Sequence, residues 1–253
     1  MAASKQIPNL LTLSNLACGC LGIASLMLNN LPAGALFILL AAVFDYLDGM
    51  AARLLKAGSE LGKQLDSLAD VVSFGVLPGM IMYRIMLQSV RLQYPGTEWI
   101  SFIPFIAVVI PLASALRLAK FNIDSRQHHH FLGLPTPASA LFFTSFPFIL
   151  FYHGHGIFTP PIHFLSFLFD PFLLACICLL ISLLMISEIP IFSLKFQSFS
   201  WKENHYHWIF FLLLIPCLLV FRLGAGLLII PLYVILSVVF RASFHPAGAE
   251  RHV

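Results

Sequence analysis

The chain has 253 residues, 59% of them hydrophobic and 10% charged, with a mean hydropathy of +0.92 and a formal net charge of +3. That balance excludes a soluble domain, and the dispersed basic residues exclude a nucleic-acid surface. It fits an all-α polytopic membrane protein.

In chain order, span-length apolar segments fall at about 10–30, 33–55, 65–88, 101–121, 136–153 and 163–188. The amino end reads as a first span rather than a cleaved leader, because its apolar stretch is long and lacks a cleavage signal. The stretch at 208–240 is too long for one span and is interrupted by "RLGAG", which predicts two short spans in a hairpin and about eight spans in all. The expected organisation is a membrane core over 1–195 and an additional hairpin and tail over 196–253. The five cysteines lie inside apolar runs, where free Cys acts as a small hydrophobe. Of the 14 Lys and Arg, all but Arg84, Arg91 and Arg222 fall on one side if the amino end is cytoplasmic. The positive-inside rule therefore predicts a multi-pass protein of the cytoplasmic membrane with its amino end inside, and an inner face suited to anionic lipid head groups.

Four of the six aspartates, Asp45, Asp48, Asp66 and Asp70, lie in "FDYLDGMAARLLKAGSELGKQLDSLAD" at 44–70. At about 100° per residue, Asp45, Asp48, Gly49, Ala52 and Arg53 share one helical face, and Gly62, Asp66 and Asp70 form a stripe on the next helix. One acid at a span end is ordinarily a solvated cap or a surface ion pair. Two facing pairs near lipid need compensation, and hard oxygens without His or Cys favour Mg²⁺, Mn²⁺ or Ca²⁺, with room for a two-metal centre. Gly49 and Gly62 permit close approach, equally of a packed helix or of a ligand. Arg53 offers a planar fork for phosphate oxygens.

The spacing Asp45-x2-Asp48-Gly49-x2-Ala52-Arg53-x8-Gly62-x3-Asp66-x3-Asp70 resembles the full signature of the CDP-alcohol phosphotransferase family. The resemblance implies a six-helix core, here followed by the hairpin, that is dimeric and transfers a substituted phosphoryl group from a CDP-linked donor to an alcohol. It implies two Mg²⁺ or Mn²⁺ ions bridged by Asp45 and Asp66, one completed by Asp48 and the other by Asp70, with Asp70 also the general base. Gly49, Ala52, Arg53, Ser59 and Gly62 would then contact the CDP part of the donor. "IPNLLTLSNLACG", "FGVLPG", "ALRLAKFN", "FLGLPTPASA" and "SEIPIFSLK" are similar to the bacterial branch of that family that joins CDP-diacylglycerol to L-serine.

Several residues outside the signature carry chemistry of their own. Asn9 and Thr12, at the start of the first span, can offer hydrogen bonds to a nucleotide, although Pro8 there also suits a simple helix start. Arg117, flanked by apolar residues, needs an anion, for which a serine carboxylate or a donor phosphate is suited. Lys120 and Asn122 stand at the same span end, where a lysine is ordinarily a head-group anchor. The "HHH" at 128–130 reads as a loop, and the Phe-rich fifth and sixth spans as lipid-facing or packing surface. Two other readings compete with serine transfer. A sibling enzyme would use glycerol 3-phosphate or an inositol (phosphate) acceptor, and an ion-coupled transporter would carry its acids near the midplane on broken helices.

Overall fold

In a computed structural model of the chain, the structure describes residues 6–123, 131–157, 161–191 and 201–240. Helix α1 (Gln6–Met27) has Pro8 in its first turn, where the missing N–H is harmless. A short turn with Asn29 at φ 60° leads to α2 (Leu31–Leu54), whose first turn is capped by Asn30 accepting from the Ala33 N–H at 3.1 Å. Next, α3 (Glu60–Asp70), a π-helical segment Val71–Val76 and α4 (Leu77–Gln93) run on as one rod of 34 residues. At 1.5 Å per residue that rod is about 50 Å long, well beyond the ~30 Å of lipid hydrocarbon. The polar α3 is therefore its overhanging end, which sets the second pair of aspartates at a membrane edge.

A 3₁₀ segment, Glu98–Val108, feeds α5 (Val109–Ile123), and Pro104 inside it accounts for the missing α-helical bonds. The π-helical turn brings Gly75 so close to α5 that an added Cβ would meet Ser114 Cβ at 2.9 Å. Helix α6 (Thr136–Gly154) runs through the middle of the bundle with Phe142, Phe143, Phe146 and Phe148 buried. Of the two roles expected for the Phe-rich spans, α6 takes packing. Between lipid-soluble helices such rings gain little from leaving lipid, so edge contacts such as Phe142–Phe146, centroids 5.7 Å apart, supply the cohesion at about 0.5–1.5 kcal/mol each.

Helices α7 (Ile162–Leu168) and α8 (Pro171–Ile186) meet at a 50° bend, where Asp170 accepts from the Phe172 and Leu173 amides at 3.0 and 3.1 Å. Phe131–Leu132 pairs antiparallel with Pro190–Ile191, a two-residue tie. Helices α9 (Trp201–Phe221) and α10 (Gly226–Val239) flank a 3₁₀ turn, Arg222–Ala225.

Among the described residues, five helical stretches are long and apolar enough to cross a membrane, or six if the bent α7–α8 pair is one span. The last, Trp208–Val239, is not straight. Phe210 and Tyr233 would lie about 34 Å apart along a continuous helix, yet their ring centroids are 5.7 Å apart. Arg222, at φ 50°, reverses the chain, so α9 and α10 form the hairpin read from "RLGAG". With α6 inside the bundle, the described helices then make eight rods: α1, α2, α3–α4, α5, α6, α7–α8, α9 and α10. The expected boundary near 195 falls among residues 192–200, outside the described set, as does the His triplet at 128–130.

Candidate active site

Three carboxylates converge where α2 meets α3: one oxygen from each of Asp45, Asp48 and Asp66 lies within 4.8 Å of the others. Asp48 is buried, and its Oδ2 accepts from the Thr12 hydroxyl at 2.7 Å, so α1 orients an α2 ligand. Asp66 Oδ1 is buried without a hydrogen-bond partner among the described residues. Hard oxygen donors at this spacing, with an orphaned carboxylate oxygen among them, fit a divalent cation. Asp70, one turn beyond Asp66 and also buried, stands outside that 4.8 Å set. Its Oδ1 accepts from Asn15 Nδ2 at 3.0 Å, and Ser73 Oγ donates to the Asn15 carbonyl at 2.9 Å.

Beside the trio opens a cleft of about 250 Å³. Asn9, Thr12, Asp48, Gly49, Ala52, Ser59, Gly62 and Asp66 all line it, together with Pro8, Ala57, Gly58 and Lys63. A Cβ at Gly49 would meet nothing within 4 Å, so tight helix packing does not explain that glycine, and the space beside it is open. At Gly62 a Cβ would crowd Asn9 Oδ1 and Ser59 Oγ, each at 3.1 Å. Ser59 also caps α3, accepting from the Gly62 N–H at 3.0 Å. The cap holds the loop that forms the cleft's far wall.

Other predicted residues are distributed differently. Arg53 is exposed and is not among the residues lining the cleft, and Lys120 is exposed at the end of α5. Asn122 is occupied as a tie between helices: its Nδ2 donates to Ser67 Oγ at 2.8 Å and its carbonyl accepts from Lys63 Nζ at 3.1 Å. Arg117 is buried, at 7% exposure, and donates through Nη1 to Thr136 Oγ1 at 3.3 Å. The Asp70 carboxylate acts on it electrostatically. His155, at the other end of α6 from Thr136, is far from this site.

Sequence reasoning missed Asn15. Its signal was only a buried polar residue two positions beyond the apolar Leu13, on the face of α1 that carries Thr12. Ser73 and Thr136 were missed for a related reason, since a hydroxyl in an apolar run ordinarily bonds its own helix.

The comparisons agree with this geometry. A sequence model of the CDP-alcohol phosphatidyltransferase family matches residues 5–183. The chain is 35% identical over 200 residues to a CDP-diacylglycerol–serine O-phosphatidyltransferase of Bacillus subtilis (strain 168), covering 78% of this chain and 92% of that protein. It is 35% identical over 150 residues to an archaetidylserine synthase of Methanothermobacter thermautotrophicus, covering 58% and 59%. A CDP-diacylglycerol–serine O-phosphatidyltransferase of Mycobacterium bovis is 33% identical over 168 residues, covering 64% and 55%. The chain belongs to the CDP-alcohol phosphatidyltransferase family and is a phosphotransferase.

Proposed function

We propose that this protein transfers the phosphatidyl group of CDP-diacylglycerol to the hydroxyl of L-serine, giving phosphatidylserine and CMP. The observation that carries the reaction class is the carboxylate trio, two of whose members, Asp48 and Asp66, line a cleft that is open beside Gly49. Support for serine comes from the Bacillus subtilis relative, which is matched over 92% of its length.

In this reading the cytidine and pyrophosphate lie in the cleft between α1, α2 and α3, with Gly49 and Ala52 admitting them and Asn9 and Ser59 offering hydrogen bonds. The acyl chains stay in lipid. Asp45, Asp48, Asp66 and Asp70 would hold two Mg²⁺ or Mn²⁺ ions, which when bound neutralise charge on the pyrophosphate and the departing CMP. Asn15 fixes the Asp70 carboxylate through Oδ1, which leaves Oδ2 to take the proton from the serine hydroxyl. The serine oxygen forms its bond to the phosphorus bearing diacylglycerol as the bond from that phosphorus to CMP breaks, and the proton resides on Asp70. Orientation by fixed side chains supplies most of the acceleration. The proposal sets the site on the cytoplasmic side of the cell membrane, in a homodimer.

The test is CMP release from CDP-diacylglycerol by purified protein in mixed micelles with Mn²⁺, with serine, glycerol 3-phosphate or inositol (free or phosphorylated) as acceptor. Release that requires serine supports the proposal; release driven by another alcohol retains the family and overturns the acceptor. Release with no acceptor dependence, or none at all from folded protein, overturns the reaction.

A further inference from the structure

The cleft is lined as far as Asp66 and does not take in Asp70, near which lies a second group of polar atoms. Among the described residues, Asn15 Oδ1, Ser114 Oγ and Arg117 Nε are buried without a hydrogen-bond partner. Asn15 is bonded to Asp70, Arg117 and Asp70 act on each other electrostatically, and Ser114 lies one turn before Arg117 on α5, against Gly75. An acceptor, an ionisable cation and a hydroxyl left unpaired in one place are what a small zwitterion would pair, and burial makes each costly to leave unmet.

The carboxy-terminal hairpin reaches this group. The 3₁₀ turn Arg222–Ala225 and the start of α10 run antiparallel to α6, and three contacts set the register. Arg222 stands over the Tyr152 ring at 6.0 Å, a Cβ on Gly224 would meet Ile149 Cγ1 at 3.0 Å, and one on Gly226 would meet the Leu141 carbonyl and Ser145 Oγ, each at 2.6 Å. Because Gly226 lies opposite the stretch between Leu141 and Ser145, a helix advancing at the same rise brings Tyr233, seven residues on, level with Thr136. Thr136 is the residue that accepts from Arg117. Tyr233 is buried at 6% exposure, and it and Arg117 act on each other electrostatically. The matched family region ends at residue 183, so α10 lies wholly beyond it.

We infer that the hairpin completes the acceptor site: Tyr233, from α10, and Thr136, from α6, position the Arg117 guanidinium to take the carboxylate of an amino-acid acceptor beside Asp70. Arg117 is the contact residue and Tyr233 a positioning residue. Asn15 Oδ1 and Ser114 Oγ then face the ammonium and hydroxyl of the same ligand. This rests on the proposed serine transfer and adds to it where the acceptor sits and why the chain continues past the family core.

The experiment measures KM for serine and for CDP-diacylglycerol separately, in full-length protein, for Arg117→Gln, Arg117→Lys, Tyr233→Phe and Tyr233→Leu, with ethanolamine as the acceptor that lacks the carboxylate. Arg117→Gln is expected to raise the serine KM by about 100-fold, the loss of one charge-assisted pair, and to narrow the preference for serine over ethanolamine. Lysine at 117 restores part of it. Tyr233→Leu raises the serine KM about tenfold and Tyr233→Phe, which keeps the ring packed, about threefold, both with the CDP-diacylglycerol KM unchanged. Serine-driven turnover with an unaltered serine KM in Arg117→Gln and Tyr233→Phe overturns the inference while the proposed reaction stands. An equal rise in the KM of both substrates does so too, because it marks a merely structural effect. If the wild-type protein uses a non-amino-acid alcohol, or no acceptor, the reaction and the carboxylate assignment fall together.

Discussion

The cleft and the polar group near Asp70 are built in opposite ways. The cleft comes from α1, α2 and α3, consecutive helices joined by short turns, with its chemistry compressed into one spaced motif. The group near Asp70 draws Asn15, Ser114, Arg117, Thr136 and Tyr233 from four helices spread over more than 200 residues. Helices adjacent in sequence are nearly obliged to be neighbours in space, so periodicity alone brings their polar faces together. A group assembled from distant helices depends on the packing order of the whole bundle.

The largest expected effect tests the cleft. Asp66→Asn removes one member of the trio and should lower CMP release by about 10³-fold while the protein still elutes as folded material. Chelation with EDTA should abolish turnover as fully, with Mn²⁺ or Mg²⁺ restoring it; turnover surviving both treatments breaks the metal reading. A smaller loss, about 10- to 100-fold in kcat, is expected of Thr12→Val and Asn15→Ala, which leave every carboxylate in place but free Asp48 or Asp70 to rotate. If Asn15→Ala changes only the serine KM, Asn15 belongs to the acceptor side rather than to the base.

Gly49→Leu sharpens the contrast within the cleft. Nothing stands within 4 Å of a Cβ there, so folding is unaffected, while the CDP-diacylglycerol KM should rise about tenfold. Gly62→Leu meets Asn9 and Ser59 and should lose thermal stability as well. The smallest effects belong to ties remote from both. Asp170→Ala removes the α8 cap and should cost about 1 kcal/mol of stability with both KM values unchanged.

How much was legible follows from the same distinction. Asp45, Asp48, Gly49, Ala52, Gly62 and Asp66 were readable because helical offsets of three and four put them on facing stripes; the structure brings all but Asp45 to one cleft and groups Asp45 with Asp48 and Asp66. Arg117 was legible as a buried cation in want of an anion. Asn122 was not: at a span end it reads as a ligand group, and only the packing of α3 on α5 commits it to Ser67 and Lys63. The Phe-rich α6 could equally have faced lipid, since in a membrane an apolar side chain carries no sign of which apolar surroundings it has.

From the sequence by itself came the membrane class, the hairpin at "RLGAG" and the acidic motif, because hydropathy and helical periodicity are local properties of the chain. Only the tertiary structure decided that Thr12 and Asn15 hold two of the acids, that α6 runs through the core, and that Tyr233 comes level with Thr136 beside Arg117. Those pairings join residues up to 116 positions apart, and at that separation contact is set by the way helices pack against one another rather than by any pattern along the chain.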